Sequence, residues 1–169
     1  YQWDSWYPYG VRVTEAAIQR QIDYLSSHLN DLGPWHVVVD LGWYLVGDTP
    51  EAGWATADPA KFPHGLNALV DYAHSRGVKV VVTLSVPLVY GATEVPGLNW
   101  LWFPRLVSSN PGWFLPLGEE RYLCNFQDIG FRRYFQESVV ERLLREFDVD
   151  GVKLEGLAGA RLESLDRET

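Results

Sequence analysis

The chain has 169 residues, 47% hydrophobic and 21% charged, with a formal net charge of −8, the composition of a globular domain around one core. The acidic balance repels phosphate backbones and anionic lipids, which argues against nucleic-acid or membrane partners, and no apolar run approaches the roughly 20 residues of a membrane helix. Cys124 is the sole cysteine and Met is absent, so no internal disulfide is expected, and a strand-like start at Tyr1 reads as a piece of a longer protein.

The first strand is expected near Gln2 to Trp6. A helix begins at Thr14, a residue suited to the N-cap, and carries Ile18, Ile22, Leu25, Leu29 and Leu32 at helical spacing. A second strand runs His36 to Leu41. A second helix carries Leu66, Leu69, Val70 and Ala73 and closes at Gly77. The third strand is Val78 to Ser85. The third helix follows Asp128 with Phe131, Phe135, Val139, Leu143 and Phe147, and the fourth strand is Gly151 to Glu155. Alternating strands and helices predict an α/β fold with a parallel sheet and right-handed crossovers. The loops after strands 2 and 3, about 25 and about 40 residues against a usual 2–6, leave the C-terminal ends of strands. Four strands and three helices match the first half of a TIM (β/α)8 barrel, so residues 1–169 read as a single partial barrel domain. A doubly wound sheet is the alternative, but the first turn, Trp6-Tyr7-Pro8-Tyr9-Gly10, lacks a glycine-rich phosphate fingerprint.

Chemistry concentrates at the strand tips. Trp3, Asp4 and Trp6 end strand 1, Asp40 followed by Gly42-Trp43-Tyr44 ends strand 2, Thr83 and Ser85 end strand 3, and Lys153 and Glu155 end strand 4. Alternation puts Lys153 and Glu155 on one face and Val152 and Leu154 on the other. Carboxylates accept from hydroxyls, a lysine donates, and flat indoles stack on sugar C–H faces, so the set suits a carbohydrate. Each member also has a plainer reading: Asp40 as a turn cap, Lys153 and Glu155 as a structural ion pair, Trp3 and Trp6 as barrel packing, and Trp100, Trp102 and Trp113 as loop packing. Other chemistries fit poorly. His28, His36, His64 and His74 lack metal-ligand spacing, and no glycine loop cradles a phosphate, so no metal or cofactor is expected.

The segments Trp3-Asp4-Ser5-Trp6-Tyr7, Val38-Val39-Asp40-Leu41-Gly42-Trp43-Tyr44, Gly47-Asp48, Lys61-Phe62-Pro63-His64-Gly65-Leu66, His74-Ser75-Arg76-Gly77-Val78-Lys79, Asn110-Pro111-Gly112-Trp113 and Asp150 to Glu155 occur in one order across nearly the whole chain. In that order they resemble the catalytic barrel of melibiase-type alpha-galactosidases, glycoside hydrolase family 36 and its clan relatives. The resemblance implies a retaining glycosidase with Glu155 as nucleophile, Lys153 donating to sugar hydroxyls, Asp40 binding the far hydroxyls, and Trp6 and Trp43 lining the substrate site. The acid/base carboxyl would come from a later strand, so the piece alone is expected to be inactive. Three positions depart from the family pattern. Glu155 stands where the family has Asp, and its extra methylene moves the carboxylate by about one bond length, roughly 1.5 Å. Leu41 stands where a second Asp is common, and neither Thr83 nor Leu84 is aromatic. A barrel that binds carbohydrate without turnover and a glycosyl transferase of the same clan are the alternatives. The expected partners are a carbohydrate and, at the exposed sheet edges, the remaining half of the barrel or a second copy.

Overall fold

The computed structural model describes residues 1–91 and 101–156. Trp100 therefore lies outside the described residues. Strands β1 (Gln2–Asp4), β2 (Trp35–Val39), β3 (Val78–Ser85) and β7 (Gly151–Glu155) form one parallel sheet in the order β1-β2-β3-β7. This is the strand order of the first half of a (β/α)8 barrel, with β1 and β7 at the two edges as expected. A second, antiparallel sheet of β4 (Leu88–Tyr90), β5 (Phe114–Gly118) and β6 (Arg121–Cys124), in the order β4-β6-β5, fills the long loop after β3. The sequence marks that stretch only as a long loop. Its strands escape a periodicity reading because they are three to five residues long and Pro116 interrupts one of them at a register shift.

Between β1 and β2 lie α1 (Trp6–Tyr9) and α2 (Glu15–His28), and between β2 and β3 lies α3 (Gly65–His74). Strand 1 is shorter than expected because Asp4 Oδ1 accepts the Trp6 N–H at 2.9 Å and turns the chain into α1. Thr14 caps α2, its Oγ1 accepting from Ala17 N, and Ile18, Ile22 and Leu25 are buried. The stripe does not continue to Leu32, which sits in a 3-10 turn after the helix and is 51% exposed. Helix α4 (Pro104–Ser109) lies within the long loop. Helix α5 (Ile129–Arg133) starts at Asp128, whose Oδ1 accepts from Phe131 N, and runs on into a π-type helix over Tyr134–Glu146. Phe131, Phe135, Val139 and Leu143 recur every four residues along it, and all four side chains are buried.

The pairing register separates the two faces of the main sheet. Trp3, Val37, Val39, Val80, Val82 and Val152 belong to the apolar core with Ile18, Ile22, Leu66, Leu69, Val139 and Leu143 of the helices. By alternation the opposite face carries Asp4, Val38, Asp40, Val81, Thr83, Ser85, Gly151, Lys153 and Glu155. That face is concave. Lys153 on β7 bonds Asp4 on β1 although two strands lie between them. Three spacings of about 4.8 Å would put those strands about 14 Å apart in a flat sheet, beyond the joint reach of the two side chains.

Candidate active site

Every group at the tips is held by something identifiable. Ser5 donates its N–H to Val38 O at 3.0 Å and its Oγ accepts from Asp40 N at 2.8 Å, so the ends of β1 and β2 are stitched together. Gly42, at φ +97°, packs its α-carbon against the backbone of Val11 where a Cβ would meet Val11 O at 2.5 Å. Lys61 Nζ clamps the same junction, donating to Val11 O at 3.1 Å and to Gly42 O at 2.7 Å. Below β7, Asp150 N donates to Val80 O at 2.8 Å, while Asp150 Oδ2 accepts from Val80 N and from His74 Nε2, both at 2.8 Å. This sets the β3–β7 register and, with it, the height of Lys153 and Glu155.

Lys153 Nζ is the hub. It lies 2.7 Å from Asp40 Oδ2, 2.7 Å from Glu155 Oε1 and 3.2 Å from Asp4 Oδ2, three carboxylates for the three N–H donors of an ammonium. Asp40 also accepts from Thr83 Oγ1 at 3.1 Å and from Leu41 N at 2.6 Å. The partial burial of Lys153 lowers its pKa, but the bonds from Asp40, Glu155 and Asp4 outweigh that and hold the pKa well above the ordinary lysine value. The lysine therefore stays charged through neutral pH. Tyr44, wholly buried next to this cluster, has its phenol pushed far up, first by burial and then by the charges of Asp40 and Glu155 against the Ser85 backbone.

The side chains of Lys153 and Glu155 are 34% and 38% exposed, and Trp6 is 40% exposed on α1. Lys153 and Glu155 thus present atoms to the concave side, and Trp6 is exposed just past the end of β1. Asp40 joins the cluster but its side chain is only 1% exposed. The carboxylate expected to bind sugar hydroxyls directly is thus shielded, and its link to the concave side is Lys153. Trp43 is corrected as well. It is fully buried, and its Nε1–H donates to Thr83 O at 2.9 Å, so its ring supports the tips from the core and offers no face to a ligand. Sequence reasoning passed over Ser5 and Trp54, whose Nε1–H donates to Ser85 O at 3.1 Å. For Ser5 a signal existed, its place between Asp4 and Trp6. For Trp54, a loop residue far from the strand in sequence, there was none. Trp113 stacks on Tyr134 at 5.0 Å, and Trp102 packs near Gly47, both in loop-packing roles.

Among the described residues no group of three or more His, Cys, Asp or Glu is arranged to hold a metal ion, and no helix is long and apolar enough to cross a membrane.

No protein-family profile matches the chain. Curated relatives do. Alpha-galactosidase A of Cellvibrio japonicus is 33% identical over 79 residues, 46% of this chain and 19% of its own length. Alpha-galactosidase 3 of Arabidopsis thaliana is 39% identical over 80 residues, 46% and 18%. Alpha-galactosidase 2 of Pediococcus pentosaceus is 35% identical over 101 residues, 59% and 14%. The chain thus spans about a fifth of the length of the curated relatives it matches. Among solved structures, the GH36 alpha-galactosidase of Geobacillus stearothermophilus superposes with a TM-score of 0.68 at 18% identity, over 90% of this chain and 20% of that one. The alpha-galactosidase of Thermus thermophilus, in complex with p-nitrophenyl alpha-D-galactopyranoside, gives 0.65 at 19%, over 90% and 30%. The likeness of this chain is therefore to the melibiase-type alpha-galactosidases, in sequence over about half its length and in fold over nearly all of it.

Proposed function

We propose that residues 1–156 supply the first four strand tips of a retaining alpha-glycosidase site that takes terminal alpha-linked, galactose-type sugars. Glu155 is the nucleophile. Its carboxylate attacks the anomeric carbon as the bond to the leaving oxygen breaks, giving a glycosyl ester that water then cleaves. A second carboxyl, contributed by a later strand and about 5–5.5 Å from Glu155, protonates the leaving oxygen and afterwards takes the proton from water. Lys153 turns the N–H that meets Glu155 in the free protein to a sugar hydroxyl when substrate enters, while its other two stay on Asp40 and Asp4. Asp40 keeps Lys153 charged and oriented, and Trp6 forms a wall for the C–H face of the ring. Trp43 positions the tips from behind.

One observation carries this reading: the Lys153 ammonium sits 2.7 Å from both Glu155 and Asp40, at the C-terminal ends of parallel strands β7 and β2 with β3 between them, the end where parallel barrels hold their chemistry. The named activity of the curated relatives supports it, as do the raffinose and stachyose bound by variants of the Geobacillus enzyme. The test is Glu155→Gln in the full-length protein, assayed on aryl alpha-galactosides and with a mechanism-based 2-fluoro-galactoside. Turnover should fall by about 10⁴-fold, the scale of losing one member of a catalytic set, and no sugar should add to the peptide holding residues 151–155. Labelling that persists in the variant would refute the nucleophile. Binding of galactose by the wild type with no turnover would favour a carbohydrate-binding barrel instead.

A further inference from the structure

Asp4 does two things that an ordinary turn aspartate does not do together. Its Oδ1 accepts the Trp6 N–H at 2.9 Å, which starts the short helix carrying that indole and supplies the cap that Ser5 does not. Its Oδ2 lies 3.2 Å from Lys153 Nζ, a partner 149 positions away in sequence. The side chain is 12% exposed, enough shielding for the charge pair to exceed a surface contact. The next residue adds to the construction, since fully buried Ser5 holds Asp40 N, and Asp40 holds Lys153 in turn.

Asp4 also sits two residues below the row of Asp40, Thr83 and Lys153, because Asp4 pairs with Val38, Val38 with Val81, and Val81 with Gly151. The ion pair is thus a chord across the curved sheet, joining its two edge strands. A capping aspartate needs no cation, and a lysine already bonded to Asp40 and Glu155 needs no third carboxylate to stay charged. Both bonds on one carboxylate tie the backbone that carries the Trp6 indole and the exposed ammonium to a common point.

We propose that Asp4 is a positioning residue that sets the distance between Trp6 and Lys153 across the concave face, so that the aromatic wall and the cation form one preformed cup. The consequence for the sugar rests on the site reading given above, while the hold on Lys153 does not. If Asp4 loses its charge, the ammonium gains freedom toward Asp40 and Glu155, and the wall keeps its place as long as an oxygen at position 4 still accepts from Trp6 N.

The experiment compares Asp4→Asn, Asp4→Ala and Glu155→Gln with wild type in the full-length protein. Asp4→Asn preserves the acceptor for Trp6 and removes the charge. Asp4→Ala removes both. Acetic anhydride acylation at pH 8.5, read by mass spectrometry with exposed Lys79 as internal reference, reports Lys153 directly. Acylation of Lys153 relative to Lys79 should rise at least threefold in both Asp4 variants. On an aryl alpha-galactoside, Asp4→Asn should raise KM about tenfold with kcat within about twofold, and Asp4→Ala should raise KM by about tenfold more. Urea midpoints identify any variant that fails through misfolding, and the isosteric Asn variant keeps the comparison decisive in that case. Unchanged Lys153 acylation in Asp4→Asn overturns the proposal. If Glu155→Gln abolishes turnover while Asp4→Asn leaves KM at the wild-type value, the positioning role falls and the site reading stands. If Glu155→Gln retains turnover, the site reading falls and the acylation arm alone decides what Asp4 does.

Discussion

Asp40 offers the sharpest quantitative test, because its carboxylate is almost wholly buried and its side-chain partners Lys153 and Thr83 can be removed separately. It accepts from Leu41 N at 2.6 Å, from Lys153 Nζ at 2.7 Å and from Thr83 Oγ1 at 3.1 Å. Asp40→Ala leaves the fully buried Thr83 hydroxyl without this acceptor. A buried group orphaned in this way costs about 1–3 kcal/mol, and a lost hydrogen bond to a charged group about 1.5–3. Lys153 softens the loss, because it is a third exposed and keeps Asp4 and Glu155. The net cost should be about 3 kcal/mol, near the lower end of the range for breaking a buried pair. Thr83→Val alone removes one neutral donor from an acceptor that keeps two partners, and should cost about 1 kcal/mol. The double variant should cost about 1 kcal/mol less than the sum, because Thr83→Val removes the hydroxyl that Asp40→Ala would strand. Equilibrium urea unfolding at pH 7, followed by circular dichroism, measures all four corners of the cycle. Costs that add to within about 0.4 kcal/mol would mean that the two side chains do not interact. An Asp40→Ala cost under about 0.5 kcal/mol would show that the buried carboxylate anchors nothing.

Three further outcomes are expected. Gly42→Ala should destabilise by about 3 kcal/mol or more, since a positive φ and a Cβ at 2.5 Å from Val11 O combine backbone strain with overpacking; a urea midpoint equal to wild type would contradict this packing. Desolvation raises the Asp150 carboxyl, but the bonds from His74 and Val80 N–H and the charges of His74 and Lys79 outweigh it and hold its pKa below the ordinary 3.8. A depressed carboxylate stabilises the fold above 3.8 and loses that contribution as pH falls through its folded-state value. The stability gap between wild type and Asp150→Asn should therefore narrow as pH falls below 3.8, and a gap that stays constant from there to pH 2.5 in urea titrations would disprove the assignment. Glu15 is buried and accepts from His64 N at 3.1 Å and meets His64 Nδ1 at 2.9 Å. Glu15→Ala should cost about 2 kcal/mol and His64→Ala, at an exposed ring, about 0.5; thermal melts showing the reverse order would place the stabilising burial elsewhere.

How much of this was legible in the chain depends on how local the cause was. Thr14, Ile18, Ile22 and Leu25 announce a capped amphipathic helix because the cap and the stripe act within a few residues, and the four-residue repeat of Phe131, Phe135, Val139 and Leu143 announces the helix that buries them. The alternation of Lys153 and Glu155 against Val152 and Leu154 puts the first two on one face in any straight strand. The short strands β4, β5 and β6 were hidden, since each gains its stability from partners across the loop and not from its own pattern.

By itself the sequence determined the strand–helix alternation and which residues share a face, because steric repeats of two and about four residues are properties of the backbone. Only the tertiary structure decided that Lys153 meets three carboxylates, that Asp40 and Trp43 lie beneath the surface, and that Asp4 reaches across two intervening strands. Those facts depend on the curvature of the sheet and on what packs over each tip. Both are sums of many weak contacts between residues distant in the chain, and no single stretch of sequence encodes them.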